Sequence, residues 1–270
     1  MAFARRLAIL PGGLGGLGSS IGKKLRSEGA QLAILYAPFE ASRRESLLSS
    51  GYNNDRTNIY TYECDITDPA SVQSAFLSLQ KDQTAIGAGA FPSILINTAG
   101  YVSLSDLHLT PPEETLRHLT TNVLGPMLCS QAFANLYFSA SASSGRDGHA
   151  NAPPGRIVTL ASQAAHVALH QHGAYCASKS AVLGLTRCMA SEWGPKGITA
   201  NTVSPTVAWT DLGKKAWGEQ GVKEKLLQSI PTGKAALPEE VADAVVFLCR
   251  DSSGMINGAD IRVDGGYTIR

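Results

Sequence analysis

Seven short apolar runs, at residues 7–10, 32–35, 59–62, 94–96, 157–160, 198–203 and 261–263, alternate with longer amphipathic stretches at 20–27, 70–79, 113–138, 174–193 and 238–248. This alternation constrains the fold more than any other feature of the chain. Runs that are apolar at nearly every position read as strands buried on both faces. Helix-length connections between them join parallel neighbours rather than hairpins. The expectation is an α/β protein: a doubly wound parallel sheet of about seven strands with helices on both faces, in one domain spanning residues 1–270.

Three segments break the rhythm. Residues 83–92 form a Gly/Ala-rich loop. Residues 139–154, small, polar and turn-rich, read as a surface insertion between a long helix and a strand of the same sheet. Residues 207–230, with two tryptophans and many charges, read as a lid over a ligand.

Charge and cysteine usage narrow the function classes. Lys plus Arg is 23 against 22 for Asp plus Glu, so no broad basic field asks for nucleic acid or an anionic membrane. No run approaches the roughly 18 apolar residues of a membrane span. The five cysteines are scattered without a C-x-x-C pair, which fits reduced, non-catalytic thiols in a cytoplasmic protein. No His/Cys/Asp set has metal-ligand spacing, and no metal is expected.

A glycine-rich turn follows the first strand: Pro11-Gly12-Gly13-Leu14-Gly15-Gly16-Leu17-Gly18. Between a strand and a helix, such a turn lets backbone N–H groups approach a pyrophosphate, and the helix N-terminus adds favourable partial charge. Gly12, Gly16 and Gly18 have the spacing G-x-x-x-G-x-G. Two further segments sit at strand carboxyl ends, where ligands bind in open parallel sheets. They are Asp65, which reads equally well as a helix cap, and Asn97-Thr98-Ala99-Gly100.

Tyr175 and Lys179 stand four apart, on one face of a helix. An ammonium close to a phenol draws the phenol's pKa down, so such a tyrosine can exchange protons near neutrality. Ser162 ends the fifth strand and can donate to a substrate oxygen as negative charge builds. Asn122 lies inside the stretch 113–138, just before Gly125-Pro126. Asparagine is a poor helix former, and the nearby proline can loosen the backbone ladder.

Over nearly its whole length the chain resembles the short-chain dehydrogenase/reductase family. The family pattern T-G-x-x-x-G-x-G is met by Gly12, Gly16 and Gly18, and its N-N-A-G by Asn97-Thr98-Ala99-Gly100. Its catalytic Asn, Ser, Tyr and Lys fall on Asn122, Ser162, Tyr175 and Lys179. The stretch 204–210 resembles its P-G-x-x-x-T. The resemblance implies a Rossmann-like fold with a nicotinamide dinucleotide held by Gly12, Gly16, Leu17, Gly18, Tyr36, Asp65, Ile66, Asn97, Ala99, Gly100, Tyr175, Lys179, Pro205, Val207 and Thr210. It also implies that Lys179 holds ribose hydroxyls and that Asn122 holds a proton-relaying water. Three departures stand out: Pro11 replaces a threonine that ties the glycine turn to the next loop, Thr98 replaces the second Asn, and Thr206 replaces Gly.

The second strand ends in Tyr36-Ala37, without the acid that NAD enzymes of this fold place there. Arg43 or Arg44 could reach a 2′-phosphate, whereas Glu40 would repel it. NADP(H) is therefore slightly favoured over NAD(H). Segments around Gln163, His172, Val207, Trp217 and Thr232 resemble the L-xylulose (dicarbonyl) reductases and polyol dehydrogenases. In that group the positions of Ser162, Gln163, Leu169, His172 and Trp217 face the substrate, which implies a ketose, polyol or small dicarbonyl. Trp217 reads equally as lid packing, and His170 and His172 as solvated loop residues. Two alternatives stay open: a 3-oxoacyl-thioester reductase, with Lys214, Lys215, Lys223 and Lys225 as a basic patch for acyl carrier protein, and a cofactor-binding regulatory protein without turnover. The resemblance further implies a homotetramer or homodimer built on the helices at 113–138 and 174–193.

Overall fold

The computed structural model describes residues 1–82, 90–143, 152–210 and 220–269. Seven strands form one all-parallel sheet: β1 (Arg6–Pro11), β2 (Gln31–Tyr36), β3 (Ile59–Glu63), β4 (Phe91–Asn97), β5 (Gly155–Leu160), β6 (Ile198–Pro205) and β7 (Asp260–Val263). Their order is β3-β2-β1-β4-β5-β6-β7. The order reverses between β1 and β4, and the crevice at the carboxyl ends of strands flanking such a reversal is where an open α/β sheet binds ligands.

Successive side chains of a strand face opposite sides of the sheet, and β1 shows the consequence. Leu7 and Ile9 enter one apolar core and Ala8 and Leu10 the other. The first core packs under α3 (Pro69–Asp82), α5 (Gly125–Ser143) and α6 (Gly173–Trp193) through Phe76, Leu79, Phe133 and Met189. The second packs under α1 (Gly16–Ser27) and α8 (Pro238–Cys249) through Ile21, Leu25, Val241 and Val245. Every residue of β1 and β5 is buried, Arg6 and Arg156 at their starts included.

The structure differs from the sequence expectation in four places. A 3₁₀ turn (Pro38–Arg43) and helix α2 (Arg44–Gly51) follow β2, where the weakly patterned sequence suggested no element. The stretch 113–138 is not one helix. It is α4 (Pro112–Leu119), a π-helical turn (Thr120–Leu124) and α5. Helix α5 runs on to Ser143, so the first residues of the expected insertion at 139–154 are helical; 144–151 lie outside the described residues. Within the expected lid at 207–230, α7 covers Gln220–Ser229, and 211–219, with Lys214, Lys215 and Trp217, lie outside the described residues. Before that gap, Trp209 N–H donates to the Ala236 carbonyl at 2.8 Å, which anchors the segment beside α8.

Candidate active site

At the carboxyl edge of the sheet the glycine turn folds back against β2 and β4. Gly12 has φ +79°, and a Cβ there would lie 2.7 Å from Ala99 N. A Cβ on Gly18 would lie 2.3 Å from the Gly12 carbonyl oxygen, and one on Gly16 would lie 2.8 Å from the Thr210 side chain. These glycines are required because backbone passes backbone with no room for a side chain. Helix α1 starts here with no side-chain cap and no acid in its first turn. Its free N–H groups thus face the crevice as an anion site.

That edge opens into a cavity of about 1060 Å³. Gly12, Gly16, Leu17, Gly18, Asp65, Ile66, Ala99, Gly100 and Thr210 all line it, so the structure brings together nine of the positions expected to hold a dinucleotide. The cradle of excluded Cβ positions and the uncapped helix fit the pyrophosphate of such a group. Tyr36 and Asn97 stand behind the wall. Tyr36 is buried beneath the Arg44 guanidinium, whose carbon lies 5.7 Å from its ring centroid. Asn97 donates from Nδ2 to Ser130 and Thr159 and braces β4 against its neighbours. Asp65 takes part locally as well: its Oδ1 accepts from Thr67 N at 2.9 Å and Oγ1 at 2.7 Å. Pro205 and Val207 follow from the end of β6, next to the segment that carries Thr210.

Two ties on the glycine turn escape a reading of motifs alone. Thr98 donates from Oγ1 to the Pro11 carbonyl at 2.8 Å, and the Thr98 and Ala99 N–H groups reach the same oxygen at 3.1 Å. The Thr98 hydroxyl thus ties the loop after β4 to position 11, where Pro11 itself has no hydroxyl to offer. Tyr52, almost fully buried on α2's carboxyl end, donates from its hydroxyl to the Gly13 carbonyl at 2.9 Å. Nothing in the local pattern marked Tyr52, because its partner lies 39 residues away.

Gly100 joins this cavity to the group expected to be catalytic. A Cβ on it would lie 3.5 Å from Asn122 Oδ1 and 3.7 Å from Lys179 Nζ. Lys179 is buried, donates to the Leu160 carbonyl at 2.8 Å and lies 5.8 Å from the Tyr175 ring centroid. Burial pushes its pKa down to about 8. Tyr175 hydrogen-bonds Ser162, but burial outweighs that bond and raises the phenol's pKa. This corrects the expectation that Lys179 draws the phenol down: the ammonium is turned to a carbonyl, and desolvation of the phenolate dominates. Ser162 Oγ accepts from Ala164 N at 3.1 Å, which leaves its proton free to be donated.

Asn122 is held in place by protein partners. It sits in the π turn, and its side chain is committed to protein. Its Oδ1 accepts from Tyr101 N at 2.7 Å, while Nδ2 donates to the Tyr101 carbonyl at 2.8 Å and to Ser178 Oγ at 2.9 Å. Ser178 in turn donates to the Tyr175 carbonyl at 2.8 Å. The extra residue of a π turn re-aims the chain locally, as such turns do at functional sites. Here it points Asn122 at the loop after β4 and at α6.

Of the remaining substrate-facing candidates, His172 packs against Tyr175. The His172 ring lies edge-on to it at 6.0 Å between centroids. Leu169 belongs to the same turn, with its carbonyl accepting from His172 N at 3.1 Å. Gln163 is buried directly after Ser162, and its Oε1 has no hydrogen-bond partner.

Comparison with known proteins places this arrangement. The family model described as enoyl-(acyl carrier protein) reductase matches residues 12–268. D-Threitol dehydrogenase of Mycolicibacterium smegmatis is 38% identical over 98% of this chain and 94% of its own length. NAD-dependent glycerol dehydrogenase of Listeria innocua is 33% identical over the same shares. L-Xylulose reductase of Caenorhabditis elegans is 30% identical over 98% of this chain and 97% of its own. Among solved structures, a short-chain dehydrogenase/reductase from Serratia marcescens superposes with a TM-score of 0.82 at 28% identity, covering 99% of this chain and 100% of that one.

Proposed function

Because the chain belongs to the short-chain dehydrogenase/reductase family and is an oxidoreductase of CH–OH groups, we propose that it interconverts a small polyol and its ketose, with Tyr175 as the proton-transfer group. The observation that carries this reading is the meeting of Ser162, Tyr175 and buried Lys179, with the Lys179 Nζ next to Gly100, a residue that lines the glycine-rich cavity. A nicotinamide dinucleotide, held by the glycine turn, the start of α1 and the residues around Asp65 and Ala99, supplies or accepts the hydride.

The chain's own residues do the rest. Tyr175, whose raised pKa keeps its proton on, gives that proton to the substrate oxygen in reduction. Ser162 donates to the same oxygen as negative charge builds on it. Lys179 spends one of its three donors on Leu160 and has the others for ribose hydroxyls. Asn122 orients the loop at Tyr101 and, through Ser178, the backbone of Tyr175.

Gln163 supports a hydroxylated substrate. A buried acceptor left without a partner costs about 1–3 kcal/mol, and a substrate hydroxyl would remove that cost. Leu169 and His172 line the same turn, and Trp217 is the further candidate. At the ribose end of the cavity, Glu40 is a lining carboxylate, held by Ala37 N–H at 2.9 Å, while Arg44 stacks on Tyr36 close by. With no acid on β2's last residue and opposed charges just beyond it, the site takes both dinucleotides, with NADP(H) ahead by no more than about tenfold, or about 1.4 kcal/mol.

The test is a set of initial rates with NADH and NADPH against L-xylulose, erythrulose, dihydroxyacetone, diacetyl and an acetoacetyl thioester, with the matching polyols in reverse. Ketoses should lead. A thioester turned over faster than every ketose would replace this reading, and a hundredfold preference for either dinucleotide would remove the dual-cofactor claim. Assembly as a homodimer or homotetramer is part of the same reading. It is supported by the exposed Leu107, Leu109 and Leu116 on and before α4, and a monomer by light scattering would contradict it.

A further inference from the structure

The mechanism above leaves one buried imidazole unused. His118 lies on α4 one turn before Asn122 and is 1% exposed. Both its ring nitrogens are engaged. Nδ1 is 2.7 Å from the Glu114 carbonyl oxygen, and Nε2 is 3.1 Å from the Ser103 N–H nitrogen. A carbonyl can only accept and a backbone N–H can only donate. Nδ1 must therefore carry the proton and Nε2 the lone pair. A charged imidazolium would set an N–H against an N–H, so these contacts select the neutral ring.

The segment that His118 grips is the loop leading away from Gly100. Asn122 pairs with both backbone groups of Tyr101. Glu114 Oε2 accepts from the Tyr101 hydroxyl at 2.9 Å and from Ser103 Oγ at 2.7 Å. Arg117 covers the outer face of the Tyr101 ring at 4.7 Å. His118 holds Ser103 N and fills the space between this loop and α6: its ring centroid is 4.9 Å from that of Tyr101 and 6.3 Å from that of Tyr175. The Tyr175 ring meets two imidazoles edge-on, His118 at 6.3 Å and His172 at 6.0 Å between centroids.

We propose that His118, neutral and protonated on Nδ1, is a positioning residue for Tyr175: it locks the loop at Ser103 to α4 and fixes the phenol ring against which its own ring packs. The inference rests on the reading of Tyr175 as proton donor. A ring free to tilt by a fraction of an ångström would keep cofactor and substrate bound but lose alignment for proton transfer, a loss that reaches a hundredfold for displacements of about 1 Å.

Two measurements test it. In the wild-type protein with ¹⁵N-labelled histidine, the His118 resonances at pH 7 should show a protonated Nδ1 and an unprotonated Nε2. The opposite tautomer, or a charged ring, would overturn the proposal even if no variant can be purified. In steady-state assays, His118→Phe keeps the ring but loses both hydrogen bonds. It should lower kcat at least about tenfold while KM for the ketose and Kd for NADPH stay within about twofold. His118→Gln, whose side-chain oxygen can accept from Ser103 N–H, should recover at least about a third of the lost kcat. A His118→Phe enzyme with undiminished kcat, or losses confined to KM, would sink the proposal. Tyr175→Phe separates the two claims. If that variant is active, the proton-donor reading fails; if it is inactive while His118→Phe is normal, only the positioning role fails.

Discussion

The turn after β1 is built from backbone, whereas the group around Tyr175 is built from side chains that reach across several elements. In the turn, Gly12, Gly16 and Gly18 matter for the atoms they lack, and the close approach of Ala99, Gly12 and Thr210 leaves no alternative residue. At the catalytic group, Asn122, Ser178, Lys179 and His118 matter for the atoms they carry, and each is committed to a partner from another segment. The turn has slack, because three donors from the loop after β4 share the Pro11 carbonyl. The catalytic group has no such slack, because removing one member leaves a buried polar atom unpaired.

The comparison can be broken at several points. Tyr175→Phe should lower turnover by at least about a hundredfold while cofactor affinity is nearly unchanged, since it removes the proton but not the cradle. Rapid-quench rates alongside fluorescence titration of NADPH check this, and near-normal turnover would end the proposed mechanism.

Lys179→Met should also abolish turnover, yet make the protein more stable. Burial pulls the lysine pKa from 10.5 to about 8, so the folded chain holds a charge at a cost on the order of 3 kcal/mol. Between those two pKa values the unfolded state binds more protons than the folded state, so stability rises with pH there. The cost is fully present below about pH 8 and gone above about pH 10.5. Urea melts at pH 7 should show Lys179→Met as the more stable protein, and the advantage should shrink through that window. A less stable variant at pH 7 would show that the Leu160 contact outweighs desolvation.

The smallest effect belongs to the turn. Thr98→Val removes one hydrogen bond, worth about 1 kcal/mol, from the three that hold the Pro11 carbonyl. The dinucleotide Kd should weaken about fivefold, and Thr98→Ser should restore it. An unchanged Kd in Thr98→Val would show that the two backbone bonds suffice to hold the Pro11 carbonyl.

Much of this was legible in the chain. All seven strands and four of the five helical stretches appear where apolar periodicity places them, and nine of the expected cofactor positions converge on one cavity. The misses have a common cause. Residues 113–138 read as one helix because a π turn changes the backbone by a single residue and leaves the apolar pattern intact. Tyr36 was expected at the cofactor because of its place at the end of β2, but its ring packs inward under Arg44. Tyr52 and His118 carry no motif at all; their partners are the backbone of Gly13 and of Ser103, 39 and 15 residues away.

The sequence by itself determined the sheet, the order of its strands' connections, the glycine turn and the identity of the tyrosine–lysine pair. Those follow from short-range periods and from residue types whose chemistry has few substitutes. Tertiary structure alone decided how that pair is tuned. Burial, rather than the lysine's charge, raises the phenol's pKa, and of the two backbone groups that fix the His118 tautomer, the Ser103 N–H reaches the ring only through the fold. The physical reason is that desolvation and hydrogen-bond partnership depend on neighbours distant along the chain, which no local pattern records.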